Sequence, residues 1–423
     1  MSETSNAQTS GEASLRNKGH AARSYWQHLA PALPVIFIIS GITFGFEHMG
    51  WLRNFETTSL DTWLALSSNL QAQHVVIVAI TDEDYRSKDL FNNTSPLNRH
   101  ILRQLLKSIM RGRPLVIGVD LDTTTGDPRE RAPRESGNNS PAIVWAREAE
   151  VSHDGSVENL LPILGQENPQ SEETGVALLP QDWDGVVRRY RRVFRLNKHD
   201  RVASFPWAVA TRYADESDLC KVGTPTSGAK KGNKRFCRTI GEVGAEDESL
   251  EEPIVLNFSG ERYRFPRVTA GQALQAANGD GWAQQGPLTG KIVLLGGTYR
   301  AARDEYVTPI GLRTGVELMA QAIETELQGG GIRSANHWLM LVLEILVGLA
   351  LVTLHYYFYS SLEWVMTLSI VAIPVLTCLC SWLAFNTFSL WASFIPIVVS
   401  VVIHQLYDHA RECQRIHREL LQA

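Results

Sequence analysis

Apolar residues are concentrated in one stretch near the start of the chain and three near its end, with a long polar region between them. A membrane-spanning helix needs about 20 mostly apolar residues. The pattern therefore predicts a membrane protein that carries a large water-exposed domain. The predicted spans are Leu29–Leu52, His337–Tyr357, Trp364–Phe385 and Phe388–Leu406.

Basic residues flank this set of spans at both ends of the chain. Arg16, Lys18 and Arg23 precede the first span, and Arg411, Arg415 and Arg418 follow the last. Basic flanks favour the cytoplasmic side of a bilayer, and four crossings return the chain to that side. We therefore expect a disordered cytoplasmic tail over 1–28, an outer domain over 53–336 and a short cytoplasmic helix over 407–423.

The outer region shows the pattern of an α/β domain. Val75–Ile80, Pro114–Val119 and Lys291–Leu295 are continuous apolar runs, typical of buried parallel strands. Leu97–Met110 and Val316–Leu327 repeat apolar residues at helical spacing. We predict a mostly parallel sheet with flanking helices. Shorter elements are expected at Ala142–Trp145, Gly185–Leu196 and Pro253–Phe258 (strands) and Phe205–Tyr213 (helix), with surface insertions at Asp127–Asn139 and Ala214–Glu252.

Charge and cysteine usage narrow the class of protein. A net charge of −5 makes nucleic acid an unsuitable main partner, since such binders are usually basic. Cys378, Cys380 and Cys413 fall in the third span and the tail, whereas Cys220 and Cys237 bracket a polar loop outside. A pair of cysteines in an oxidising compartment predicts a disulfide, the alternative being two separate thiols.

Acidic residues follow the predicted strands. In open parallel sheets, ligands bind at the carboxyl ends of the strands. Oxygen ligands collected there could hold a divalent cation such as Ca²⁺ or Mg²⁺, or a cationic small molecule. The alternative is that each aspartate caps a helix or holds its own loop. No other cofactor is predicted. The residues are Asp82, Glu83, Asp120, Asp122, Asp304 and Glu305.

Two further groups of polar residues could bind an anion. Gly296, Gly297 and Thr298 could present backbone N–H groups, or could simply form a tight strand exit. The basic run Arg188, Arg189, Arg191 and Arg192 could meet an anionic partner or the lipid surface, or could be a solvated strand face. The chain contains no HExxH, GxSxG or catalytic Cys/His set, and we expect no enzyme activity.

Two features belong to the membrane region. Glu344 lies inside the second span, where a carboxylate is costly and usually faces the helix bundle. A relay or partner contact and a purely structural role both remain open for it. Leu406, Ala410, Cys413, Ile416 and Leu420 form one helical stripe that could dock on itself or on a partner, or remain a solvated extension.

Several sequence blocks resemble a known family in the same order. GWLRNFETTSLDTWLAL after the first span, VVIVAITDEDY, PLNRHILRQLLKSIMRGRPLVIGVDL, DGVVRRYRRV and KIVLLGGTYRAARDEYVTPIGLRTGVELMAQAIETEL resemble the extracellular sensory domains called CHASE, second subtype, of bacterial membrane receptors. The three closing spans match as well. Two departures are Leu121-Asp122-Thr123, where the family usually has an aromatic residue, and the cysteine-bracketed insertion.

The resemblance implies a receptor-like protein of a bacterial inner membrane, with both termini cytoplasmic and a periplasmic ligand- or partner-sensing domain. Family members commonly continue into a cytoplasmic kinase or cyclase, and no such domain fits in 407–423. We therefore expect the signal to pass to a separate output protein, with the lipid bilayer and a second copy of the chain as further partners. The alternatives are a structural subunit of a membrane or envelope complex and a periplasmic metal-dependent enzyme.

Overall fold

The computed structural model describes residues 30–67, 70–122, 140–152, 157–160, 174–196, 200–217, 219–220, 237, 250–258, 265–277, 286–357 and 362–422. The expected N-terminal tail, the predicted insertion 127–139 and most of the insertion 214–252 lie outside these residues. The chain divides into two compact units, one over 64–332 and the other formed by 1–63 with 333–423.

A six-stranded sheet is the centre of the first unit. Every pair of neighbouring strands in it is parallel. The strands, in spatial order, are β11 (Arg267–Thr269), β1 (Val75–Ile80), β12 (Ile292–Gly297), β2 (Val116–Asp120), β3 (Ala142–Arg147) and β6 (Thr174–Val176). All residues of β1 and β12 are buried, which explains why their sequences are continuously apolar. The predicted parallel sheet is confirmed.

Helices cover both faces of this sheet. On one face, α4 (Arg99–Arg111) and α6 (Ala270–Ala277) pack against β1 and β12 through an apolar cluster. On the other face, α5 (Phe205–Glu216) contacts β2, β3 and β6, and α7 (Gly315–Leu327) contacts β1 and β12. The Asn98 side chain begins α4 by accepting the backbone N–H of His100 at 3.0 Å.

Short antiparallel pairs surround the sheet. They are β4 (Ala149–Val151) with β5 (Val157–Leu160), β7 (Arg189–Tyr190) with β10 (Ile254–Val255), β8 (Val193–Arg195) with β9 (Arg201–Ala203), and β13 (Glu305–Thr308) with β14 (Gly311–Thr314). The single strand predicted over Gly185–Leu196 is wrong, because β7 and β8 pair with different partners. The short helix α3 (Asp82–Arg86) follows β1.

The second unit contains the membrane helices. By length and apolar composition, three helical segments among the described residues are able to cross a bilayer: Ala30–His48, His337–Leu354 and Val371–Phe388. The first is α1; the second and third belong to α8 (His337–Tyr357) and α9 (Leu362–Phe388). α2 (Arg53–Leu66) follows α1, and α10 (Ile395–Gln422) ends the described chain.

The structure does not show the fourth predicted span. α9 continues to Phe388, and residues 389–394 are not helical before α10 begins at Ile395. The apolar part of α10, Ile395–Leu406, is only about 18 Å long. The hydrocarbon core of a bilayer is about 30 Å thick.

Several helix ends in this unit lie together. The His337 Nδ1 atom at the start of α8 is 2.7 Å from Glu47 Oε1 at the end of α1. β15 (Arg333–Ser334), just before α8, pairs in parallel with β16 (Leu390–Trp391), just after α9. The end of α1, the start of α8 and the end of α9 are therefore at the same end of the helix bundle, as an up-and-down arrangement requires.

Candidate functional site

The turn after β1 is built by a local capping box. The Asp84 carboxylate accepts the Thr81 backbone N–H at 3.0 Å and the Thr81 hydroxyl at 2.9 Å. Its second oxygen accepts the Gly271 N–H at 2.9 Å, near the start of α6. Asp84 is buried and thereby joins the end of β1 to α6. Our sequence prediction missed it, although Thr-x-x-Asp at a strand exit is a recognisable capping pattern.

Asp82 holds the neighbouring loop in place. Its carboxylate accepts the Arg300 backbone N–H at 3.1 Å and lies 3.9 Å from the Arg300 guanidinium. This anchors the 3₁₀ turn Arg300–Ala302 that follows β12. Among the alternatives for the acidic residues, the structure supports a loop-holding role for Asp82.

Two of the predicted acidic residues come together at the carboxyl ends of β2 and β12. Asp120 ends β2, opposite Gly296 of β12. Burial, together with the charge of Asp304, raises the pKa of Asp120 to about 7. Burial also raises the pKa of Asp304, against the opposing effect of hydrogen bonds from Tyr306 and Gly315. The acid pair therefore gains or loses a proton near neutral pH.

Phenol side chains line the acid pair. Tyr306 donates a hydrogen bond to Asp304, and burial and this carboxyl raise the pKa of Tyr306 to about 12. The ring of Tyr299 stacks on that of Tyr85 with centroids 4.3 Å apart. Burial and then the charges of Tyr85, Asp122 and Asp304 raise the pKa of Tyr299. The site is thus a carboxyl pair beside aromatic surface, a combination suited to a small positive charge.

The remaining predicted site residues do not join this pair. Glu83, Asp122 and Glu305 are exposed. Within the described residues, no set of three or more His, Cys, Asp or Glu side chains is arranged to hold a metal ion. The acidic residues that sequence analysis placed together at the sheet edge are therefore divided between a loop anchor, a paired site and the surface.

The two glycines that end β12 form a tight strand exit. The Thr298 N–H donates to the Ile80 carbonyl at 2.9 Å, so it does not face an anion. A Cβ atom on Gly296 would overlap the side chain of Val316, and one on Gly297 would overlap the Tyr299 ring. These residues allow close packing of β12 rather than an anion site.

Three arginines of the basic run form internal ion pairs. Arg188 lies 3.0 Å from Asp182 and 2.7 Å from Asp184. Arg189 also pairs with Asp182, at 2.7 Å. The prediction of a solvated strand face is wrong for Arg188 and Arg192, because both are buried.

The Arg192 side chain contacts residues of α7 and α5. Its Nε atom lies 2.7 Å from Glu326 Oε1, and its guanidinium is 5.0 Å from the centre of the Trp207 ring. The ion pair and the cation–π contact are buried inside the domain. Like Arg188, Arg192 stabilises the fold and is not directed towards an anionic partner.

The predicted disulfide is present. Cys220 and Cys237 are bonded, with their Cα atoms 5.1 Å apart and a sequence separation of 17. On the chain-entropy model, closing a loop of this size contributes roughly 3 kcal/mol to stability. Cys378, Cys380 and Cys413 are free thiols.

Glu344 faces the interior of the helix bundle. It is 3% exposed, and it accepts a hydrogen bond from Thr43 of α1. Ser400 of α10 also hydrogen-bonds to it. One carboxyl group on α8 thus connects two other helices, which is the arrangement expected of an intramembrane acid.

The predicted tail helix is continuous with α10. Leu406, Ile416 and Leu420 of the tail stripe are 65%, 49% and 72% exposed, and Ala410 and Cys413 are exposed as well. The sulfur of Cys413 lies 3.8 Å from His409 Nε2. The helical stripe is confirmed, and none of the residues that the structure describes covers it with an apolar surface.

Part of the chain matches a known protein family. Residues 35–354 match the CHASE2 domain, which begins within α1 and ends within α8. Searches of curated proteins and of solved structures give no match. The family match covers most of the chain and includes the parallel sheet, the helices on both of its faces and the acid pair. The chain therefore belongs to the CHASE2 family of extracellular sensory domains.

Proposed function

We propose that this chain is a receptor-like membrane protein whose CHASE2 domain senses a condition or ligand in the periplasm and relays it to a separate protein. The family match carries this proposal, because it extends from one membrane helix, through the whole α/β unit, into the next membrane helix. A change in the domain can therefore reach the membrane along the chain at both ends.

The proposed arrangement has four crossings with both ends cytoplasmic. Basic residues on both sides of the helical set support this orientation. α10 would complete the fourth crossing with its apolar start and the preceding residues Leu390–Phe394. Hydrogen bonding of Ser400 to Glu344 supports a place for α10 inside the bundle.

The acid pair is the proposed sensing element. The charge of Asp304 opposes ionisation of Asp120, so adding one positive charge to the pair relieves the repulsion. A proton or a small cationic group would do this. Asp304 lies against Gly315, the first residue of α7, so that a change at the pair acts directly on that helix.

α7 can transmit such a change. Nearly every residue of this helix is buried, so it moves as a packed unit with the sheet. The chain after α7 reaches β15 and then α8 within ten residues. The expected output is a change in the membrane helices and in the tail of α10, which would alter binding of the partner protein.

A spin label tests this proposal with the proton as the probe. Met49 lies just after α1 and is 61% exposed. It would be replaced by a labelled cysteine in full-length protein whose three free cysteines are changed to alanine. The nitroxide spectrum of the otherwise wild-type protein should differ between pH 6 and pH 8. In the Asp120→Asn variant the spectrum should be the same at both pH values. An Asp122→Asn control should still respond. A spectrum that is the same at both pH values in all three proteins would overturn the acid pair as the sensing element.

A further inference from the structure

The part of α10 that follows its apolar start carries a seven-residue repeat. Leu406, Cys413 and Leu420 are seven residues apart, and His409 and Ile416 form a second series with the same spacing. Together they alternate at three and four residues, as positions a and d of a coiled coil do. All five side chains are exposed. A seam of this kind is complementary to an identical helix.

Two adjacent positions of the seam carry metal ligands. His409 Nε2 and Cys413 Sγ are 3.8 Å apart, one helical turn from each other. Imidazole and thiolate are the ligands that zinc prefers in structural sites, and a structural zinc site takes four of them. The described residues of one chain offer no group of three ligands. His409 and Cys413 could therefore supply only two of the four ligands of such a site.

We propose that a second copy of this chain supplies the other half. In a parallel two-fold pair of α10 tails, Leu406, Ile416 and Leu420 pack in the seam. The His409 and Cys413 layers of the two helices then surround one point, giving two imidazoles and two thiolates for a single Zn²⁺. The heptad register and the chelating pair point to the same partner, because each is completed by an identical helix.

This inference goes beyond the proposed function and does not depend on what the outer domain senses. The seam covers only about two heptads, and an isolated helix of that length is marginal in water. The metal bond and the attachment to the membrane helices would supply the missing stability. Zinc would then set whether the two tails are joined.

The test uses full-length protein in detergent, with Cys378 and Cys380 replaced by alanine and oxygen excluded throughout, so that Cys413 stays reduced and the Cys220–Cys237 disulfide stays intact. The protein is stripped with a chelator and then supplied with ZnCl₂. Light scattering after size exclusion gives the mass of the protein, and elemental analysis gives the metal content. We expect a dimer with about one zinc for every two chains. Removal of zinc should return the protein to the monomer.

Three variants identify the ligands. His409→Ala and Cys413→Ala should each weaken zinc binding by at least about tenfold and abolish the zinc-dependent dimer. His417→Ala, the matched control one turn further along α10, should retain both. Helical circular dichroism and a monodisperse elution peak exclude misfolding as the cause of any loss.

Other results would overturn the proposal. Wild-type protein that stays monomeric and binds no zinc would overturn it. A dimer that persists in the presence of the chelator and in all three variants would also overturn it. Loss of binding in His417→Ala with retention in His409→Ala would contradict the assigned register. Zinc bound at one ion per monomer, without dimer formation, would contradict the shared site.

Discussion

The carboxyl group of Asp304 lies so close to Gly315 that a Cβ atom at position 315 would overlap both of its oxygens. The two residues are also joined by a hydrogen bond of 3.0 Å from the Gly315 N–H to the Asp304 carbonyl. Gly315 is the first residue of α7, so this contact fixes the acid pair to the start of a buried helix. The absence of a side chain at Gly315 is what allows the carboxyl group its place.

Gly315→Ala tests this contact. The added methyl group must displace Asp304 or strain the start of α7, and overpacking of this kind typically costs about 1–3 kcal/mol. The free energy of unfolding in urea measures the loss. In an Asp304→Ala background the same substitution should cost much less, because the overlapping oxygens are gone. An equal loss in both backgrounds would show that the contact is not the cause.

Asp120→Asn should change the pH dependence of stability. The pKa of Asp120 rises from 3.8 to about 7 in the folded protein. The contribution of Asp120 to the stability of the folded protein is therefore complete below about pH 4 and is lost as the pH rises through about 7. The asparagine variant, always neutral, should be more stable than wild type at pH 8, by an amount of the order of a few kcal/mol.

Thermal unfolding of the two proteins across this pH range measures the effect. The difference in stability between Asp120→Asn and wild type should disappear at pH 4. A variant less stable than wild type at pH 8 would contradict the account of a buried, repelled carboxyl. Asp122→Asn, at an exposed position two residues further on, serves as the control.

Glu324 should have the opposite pH dependence. Its carboxylate accepts the N–H of Val75 at 2.9 Å and lies 3.0 Å from His74 Nδ1, at the start of β1. Burial opposes its ionisation, but the hydrogen bonds and charge of His74 and a hydrogen bond from Gln328 outweigh this and lower the pKa of Glu324. The contribution of Glu324 to the stability of the folded protein is present above about pH 4.5. It is lost as the pH falls through the lower pKa that Glu324 has in the folded protein.

Glu324→Ala leaves these donors without their acceptor and should cost about 1–3 kcal/mol or more at pH 7. Glu324→Gln keeps one acceptor oxygen and should cost less. The exposed Glu83→Gln control should lie within about 0.5 kcal/mol of wild type. Chemical denaturation at pH 7 and pH 3 provides the comparison. Equal stability of the alanine and glutamine variants at pH 7 would refute the hydrogen-bonding role.

Much of the sheet was predictable from sequence, because strands buried on both faces are continuously apolar. β1, β2 and β12 were identified in this way, with ends that moved by two residues at most. β6 and β11 were missed because each has only three residues and lies at an edge of the sheet. Such short strands are defined by their neighbours and have no periodicity of their own.

The candidate site was only partly predictable for a related reason. Chain order indicated that Asp120 would lie at the carboxyl edge of the sheet. Pairing with Asp304 depends on the loop after β12, where Arg303 has a positive φ of 53°. The internal partners of Arg188 and Arg192 are likewise set by tertiary packing. A run of arginines in sequence carries no information about where the acids lie.

Glu344 gives a prediction for the membrane unit. Glu344→Leu removes the acceptor of the Thr43 hydrogen bond and should lower the melting temperature in detergent, whereas Glu344→Gln should retain most of the stability. Interhelical hydrogen bonds in membranes are worth about 0.6 kcal/mol on average, so the shift should be small but measurable. A leucine variant as stable as wild type would show that the contact between α1 and α8 is not needed to hold the bundle.

The proposed topology places the CHASE2 unit on the outer side of the cell membrane and the α10 tail in the cytoplasm. Labelling of intact cells with a membrane-impermeant thiol reagent is the decisive test of this topology. Cys378 and Cys380 would be replaced by alanine, leaving the exposed native Cys413, and Trp183, which is 50% exposed on the α/β unit, would be changed to cysteine. We predict labelling at position 183 in intact cells, and labelling of Cys413 only after the membrane is permeabilised. Labelling of Cys413 in intact cells, with position 183 protected, would contradict the account.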